Sequence, residues 1–185
     1  MRLFAASALS PEFTSALKAT ADYARDNAGR DAVKWVDPRN FHLTYAFLGE
    51  VDAKAAGAAA EALGTALAAE KSFRIVSGGF GVFPSPRHPS VLWVGIGEGG
   101  AELRALAAKI SVNLAAAGLV FEDRFEPHVT IGRVKGLLPE NFIRRVSDFA
   151  AGRKVSSLVA SVELMESALT PEGPVYRRLS SRKLL

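Results

Sequence analysis

Cysteine is absent from the 185 residues. That excludes disulfides, thiolate nucleophiles and cysteine-ligated zinc or iron–sulfur centres, and it fits a reducing cytoplasm, the expected compartment. Long apolar runs are missing too. No stretch approaches the roughly 20 residues needed to cross a bilayer, so no membrane association is expected. The opening Met1–Leu9 has a single positive charge and leads straight into a capped helix, so it reads as a strand and not as a leader. Neither sign of charge dominates: 23 Lys and Arg stand against 19 Asp and Glu. The resulting +4 is compatible with an anionic ligand and does not demand one. No linker is long or polar enough to divide the chain. With 49% hydrophobic and 23% charged residues, one domain over 1–185, with room for two lobes, is expected.

Histidine is scarce, which makes its placement informative. There are three histidines and six threonines. Two of the histidines have a threonine two positions on, His42-Leu43-Thr44 and His128-Val129-Thr130, within apolar runs 86 positions apart. At this composition a given histidine has about a 3% chance of that neighbour. One copy would read as an ordinary surface-facing pair; two copies do not. On a strand, residues two apart share a face. His42 and Thr44 therefore point one way, with Phe41, Leu43, Tyr45 and Phe47 on the other. His128 and Thr130 share a face, with Val129 and Ile131 behind them.

Around these strands the chain alternates between strands and helices. Leu3–Leu9 reads as a buried strand. Ser10-Pro11-Glu12 opens a helix with Phe13, Leu17, Ala21 and Ala24 on one stripe, ending near Asn27–Gly29. Val33–Val36 is a short strand, and Asp37–Asn40 a turn delivering the first motif. Residues 53–70 form an alanine-rich helix. Phe73–Phe83 is a strand bending at its glycines, Pro84–Pro89 a loop containing His88, and Val91–Ile96 a buried strand. A helix carries Leu103, Leu106, Ala107, Ile110 and Leu114 and ends at Gly118. Phe121–Pro127 is an irregular approach to the second motif. Pro139 opens a helix with Phe142, Val146 and Phe149. Val155–Leu169 holds one long strand or a pair, Thr170–Pro174 a turn, and Val175–Leu179 a last strand before a basic tail. Each motif strand is followed by a helix, which hints at duplication. Neighbouring strands lie too close in sequence for parallel crossovers, so the expected class is α+β with mostly antiparallel sheets.

Two imidazoles facing each other across a groove can divide proton transfer, one neutral and one charged near pH 6.5. Threonine hydroxyls and backbone N–H groups beside them can hold phosphate oxygens. Zinc would need further ligands at family spacing, and His-x-His, HExxH and Cys pairs are all lacking. A serine triad built on Ser7, Ser77 or Ser85 lacks the Gly-x-Ser-x-Gly elbow. Gly95–Gly100 lacks the Rossmann or Walker spacing and reads as turn glycines.

The stretches His42-Leu43-Thr44-Tyr45 and His128-Val129-Thr130-Ile131 resemble the paired HxTx motifs of the 2H phosphoesterase superfamily. Several further stretches resemble its RNA 2′,3′-cyclic phosphodiesterase (2′-5′ RNA ligase) family: Met1–Ala6, Trp35-Val36, Phe47–Gly49, Phe83-Pro84, Val91–Ile96 and Phe125–Arg133. The resemblance implies a bilobal, pseudo-twofold fold with both motifs lining a central cleft. It implies hydrolysis of a 2′,3′-cyclic phosphate end to a 2′-phosphate, with 2′-5′ ligation as the reverse chemistry. His42 would be the proton donor and His128 the proton acceptor, with Thr44 and Thr130 on the phosphate. Arg133 would reach the phosphate only if its strand bends near Gly132, because strict alternation turns it away. Phe47 would line the nucleoside end or pack in the core. RNA ends or small cyclic nucleotides are the implied partners, with no cofactor or metal, and a monomer is expected. The competing reading is a module that binds RNA ends or nucleotides without turning them over.

Overall fold

The computed structural model describes residues 1–122, 124–171 and 173–185. Its elements run β1 (Arg2–Ser7), α1 (Pro11–Ala28), β2 (Val33–Trp35), a 3-10 turn (Pro38–Asn40), β3 (Leu43–Glu50), α2 (Ala53–Leu67) and β4 (Phe73–Ser85). There follow β5 (His88–Ile96), α3 (Gly100–Ala116), β6 (His128–Val134), α4 (Phe142–Ala151), β7 (Ser156–Val159), β8 (Ser161–Thr170) and β9 (Gly173–Lys183). Local chemistry sets several of these bounds. The Ser10 hydroxyl accepts from the Phe13 N–H at 3.2 Å, with proline following at the first helical position. The Asp52 carboxylate caps α2 through the Ala55 N–H at 2.7 Å.

The strands build a four-stranded sheet in the order β3-β1-β8-β9 and a five-stranded sheet in the order β2-β6-β5-β4-β7. Every pairing is antiparallel, as the short connections required. Helices α2 and α3 pack together on the four-stranded sheet, and α1 and α4 on the five-stranded one. The chain changes sheets at Ala160, so Val155–Leu169 is a pair of strands in different sheets. One continuous cluster of buried apolar residues runs through both halves, from Leu3 and Leu43 to Ile131 and Val146. No described helix is long and apolar enough to cross a membrane.

Several boundaries differ from the sequence reading, each for a physical reason. The segment Pro84–Pro89 is no open loop: β4 and β5 continue to a tight turn at Pro86-Arg87. Pro84 and Pro89 lie opposite each other near its end, where a missing donor costs one rung and not two. His88 is therefore a strand residue. The basic tail is likewise the continuation of β9, an edge strand whose outer side solvates its arginines. β1 stops at Ser7, whose hydroxyl lies 2.9 Å from the Tyr45 hydroxyl and donates to the Ser161 carbonyl at 2.5 Å. The helix from residue 53 ends at Leu67, and α4 begins at Phe142, three residues after the predicted proline. Within the predicted approach Phe121–Pro127 and turn Thr170–Pro174, Asp123 and Glu172 lie outside the described residues.

Phe142 is 1% exposed and sits edge-on to Phe80 with ring centroids 6.2 Å apart, joining α4 to β4. Phe142→Ala should cost about 3–5 kcal/mol, read as a lower urea midpoint at unchanged m-value. A loss under about 1 kcal/mol would show that this contact does not hold the second half together.

Candidate active site

The two histidines reach the site by the same local route. His42 is the residue before β3, and His128 is the first of β6. The Nδ1–H of His42 donates to the Asn40 carbonyl and that of His128 to the Glu126 carbonyl, each at 2.6 Å. A carbonyl only accepts, so Nδ1 must carry the hydrogen, and the neutral ring keeps its lone pair on Nε2. In both rings Nε2 is the atom left to take a proton, or to give one when the ring is charged.

Each imidazole has two aromatic walls. Phe4 lies 4.9 Å from the His42 ring and Tyr176 stands edge-on at 5.3 Å. Phe83 stands edge-on to His128 at 5.1 Å, and Trp93 lies 6.1 Å away. Trp93 in turn rests on Gly81, where an added Cβ would come within 2.2 Å of its ring. These walls strip water from the rings, and burial pushes both histidines below the ordinary imidazole value. The carbonyl bonds oppose that shift in each case, and the charge of His128 pushes His42 further down.

The ladder register decides what else faces the site. On β3, Thr44 lies opposite Ala6 and Ala46 opposite Ala5, so Tyr45 is an extra, unpaired residue. On β6, Thr130 lies opposite Trp93 and Gly132 opposite Leu92, so Ile131 is extra. Both are bulges, and both stand three residues after the histidine. A bulge restarts the alternation one residue late. Phe47, five residues after His42, comes to lie opposite Phe4 on the histidine side, with ring centroids 5.8 Å apart, and is 49% exposed. Arg133, five residues after His128, comes to lie opposite Val91 and Lys34 on the same side as Thr130 and Trp93. The expected assignment of Phe47 to the face of Leu43 and Tyr45 is therefore corrected, while for Arg133 the bulge at Ile131 supplies, beside Gly132, the bend on which its approach depended. No glycine adjoins Tyr45 to announce its bulge, whereas Gly132 follows Ile131.

The faces of the two sheets converge. β3 and β6 touch. The positive charge of His128 is felt at His42, and those of Arg133 and Arg2 at the Tyr176 hydroxyl. One half-buried imidazole and one half-buried threonine from each sheet, an arginine and an exposed phenylalanine thus border one space. Such a set can hold an anion, move one proton in and another out, and stack a planar group.

Other sequence candidates fall outside it. The Ser7 hydroxyl is engaged with Tyr45 and Ser161, and that of Ser77 ties Arg153 to Val155. Ser85 lies opposite His88 near the β4–β5 turn. Gly99 has φ +81° and its Cβ would meet the Arg74 carbonyl at 2.6 Å, so that glycine run answers to backbone crowding. Sequence reasoning gave no site role to Asn40, Phe4, Phe83, Trp93 or Tyr176. Asn40 stands two residues before His42 on the preceding turn, and the pairing of β1, β4, β5 and β9 brings the aromatic residues near.

A model of the LigT like Phosphoesterase family matches the chain twice, over residues 8–93 and 94–176. Each match contains one His-x-Thr pair. A protein of Aeropyrum pernix named RNA 2′,3′-cyclic phosphodiesterase is 38% identical over 162 residues, covering 84% of this chain and 89% of the relative. One of the same name from Archaeoglobus fulgidus is 34% identical over 181 residues, covering 97% and 98%. The crystal structure of a Thermus thermophilus protein superimposes with a TM-score of 0.80 at 27% identity, covering 100% of this chain and 98% of the other. That of E. coli LigT without ligand shares the fold, with a TM-score of 0.74 at 24% identity over 99% and 96% of the two chains.

Gly81→Ala should lift Trp93 away from His128 and let water in. The charged ring is then less penalised, so the His128 pKa should rise toward the ordinary imidazole value. An NMR titration of the His128 ring in the folded variant checks this, and an unchanged midpoint would show that Trp93 does not set its solvation.

Proposed function

The chain belongs to the LigT-like phosphoesterase family, and on that premise we propose that it hydrolyses 2′,3′-cyclic phosphate ends of RNA to 2′-phosphomonoesters. The observation that carries this reading is the meeting of two imidazoles, one from each sheet, with a threonine two residues after each. The names of the Aeropyrum and Archaeoglobus relatives point to the same substrate.

The chemistry follows from the tautomers. Water approaches phosphorus opposite the ribose 3′ oxygen. The neutral Nε2 of His128 accepts the proton of that water as the new P–O bond forms. The P–O3′ bond breaks, and the charged His42 gives its Nε2 proton to the departing oxygen. The products are a 2′-phosphate and a free 3′-hydroxyl, with one water consumed. A 5′-hydroxyl entering in place of water would leave a 2′-5′ linkage. Thr44 and Thr130 donate to the non-bridging oxygens, and Arg133 offsets their charge. Phe47, exposed beside Phe4, offers a ring on which the terminal base can stack.

Hydrolysis of a cyclic-phosphate-ended oligonucleotide should persist in EDTA. His42→Ala and His128→Ala should each lower kcat by about 10²–10⁴-fold. Binding of the oligonucleotide with no 2′-phosphate product would instead identify a binding module. Faster turnover of cyclic mononucleotides than of oligonucleotides would assign the site to small substrates.

The pH dependence has a definite sign. Activity needs one ring charged and one neutral, so kcat/KM should be bell-shaped. Burial lowers both rings in the free protein, which puts the maximum on the acid side of pH 6.5. A bound phosphate favours the charged rings, so the kcat profile should lie at higher pH than that of kcat/KM. Profiles measured with saturating and with limiting substrate check both, and a kcat/KM maximum above about pH 7.5 would contradict the assignment.

A further inference from the structure

Asn40 has two unrelated partners. Its carbonyl accepts from the His42 Nδ1–H at 2.6 Å, while its side-chain amide donates to the Pro174 carbonyl at 3.0 Å, a partly buried bond spanning 134 positions. Pro174 lies on β9, at the opposite edge of the four-stranded sheet from β3. Two residues further along β9, Tyr176 turns its ring edge to His42 at 5.3 Å, with planes 85° apart, and to Phe4 at 5.0 Å. The result is a closed loop of contacts: Asn40 to His42, His42 to Tyr176, Tyr176 along the strand to Pro174, and Pro174 back to Asn40. On the His128 side Phe83 and Trp93 lie on β4 and β5, which pair directly with each other. β9 is an edge strand, paired on one side alone, and is the part of the His42 wall freest to move.

We propose that Asn40 and Tyr176 are positioning residues for His42: the Asn40 amide ties the β8–β9 hairpin at Pro174, and the tie holds the Tyr176 ring edge-on to the imidazole, beside Phe4. The tie fixes the His42 ring plane, and Tyr176 together with Phe4 keeps bulk water from the side of the ring that the two aromatic rings share. Loss of either residue leaves the imidazole hydrogen-bonded at Nδ1 but free to swing, so the proton reaches the leaving oxygen less often. The inference rests on the assignment of proton transfer to His42.

Titratable and charged groups on the neighbouring elements are Asp37 and Arg39 on the preceding turn, Arg2 on β1, Glu163 on β8, Arg178 on β9, and His128 and Arg133 on β6. Asp37 and Arg39 pair with each other in solvent, and Glu163 accepts from Ser161 and Ser181. Of the charged groups, His128 is the one whose field reaches His42 appreciably. Removing the Tyr176 wall therefore acts mainly through water. The charged ring becomes easier to form, and the His42 titration moves to higher pH.

Asn40→Ala, Tyr176→Ala and Tyr176→Phe, with His42→Ala as reference, test this on the full chain. Asn40→Ala should lower kcat about tenfold with KM within about twofold. Tyr176→Ala should do the same and raise the NMR titration midpoint of the His42 ring. Tyr176→Phe keeps the ring and should restore both kcat and the midpoint to within about twofold of the parent. Parental kcat and His42 titration in both alanine variants would overturn the proposal. So would a Tyr176→Phe variant as impaired as Tyr176→Ala, which would place the hydroxyl on the ligand. Full activity in His42→Ala would instead overturn the functional assignment beneath it. Asn40→Ala removes one partly buried hydrogen bond and leaves the core intact, so it keeps the test decisive if Tyr176→Ala fails to fold.

Discussion

One unpaired residue in each motif strand governs what the site contains. Tyr45 and Ile131 fall out of the ladders with β1 and β5 three positions after their histidines, and on β3 a second shift follows at Leu48, beyond Phe47. Because side chains alternate with period two, a single extra residue inverts every later position. His42 and Thr44 lie before the inversion and Phe47 after it, yet all three face the same way. His128, Thr130 and Arg133 repeat that arrangement. Without the bulges Phe47 would turn into the core and Arg133 toward α1, leaving a phosphate only hydroxyls and imidazoles to meet.

The histidines themselves are held more by what surrounds them than by what they bind. A backbone carbonyl fixes each Nδ1, and a pair of aromatic rings lies against each imidazole. The carbonyl bond settles which nitrogen is free, while the aromatic cover lowers the affinity of the ring for a proton. An anion arriving between the rings works against that cover. Burial and an anion therefore act on the two rings in opposite directions.

The two halves reach the same local geometry with different supports. The family match falls once on each half, yet one sheet has four strands and the other five. His128 is walled by residues of β4 and β5, the paired strands that run to the turn at Pro86-Arg87. His42 is walled by β1 and by β9 at an edge. Duplication has kept the chemistry and its bulge, and has left the scaffolding free to diverge.

Much of this was legible in the chain alone. Scarce histidine placed twice before threonine gave the candidate reacting groups, and the absence of cysteine narrowed their chemistry. Capping residues such as Ser10 and turn residues such as Asp37 marked the element starts, because these depend on bonds spanning two or three positions. The face of Phe47 was not legible, since Tyr45 is an ordinary strand residue whose missing partner is decided by the opposing strand; for Arg133, Gly132 marked where the strand could bend but not that it does. Nor were the Asn40–Pro174 tie and the Tyr176 wall, which join segments more than 130 positions apart. Sequence determines which groups can react and how they repeat, because those are properties of side chains and short spacings. Only the tertiary structure decides which of them share a space, because pairing register and long-range closure belong to the folded chain as a whole.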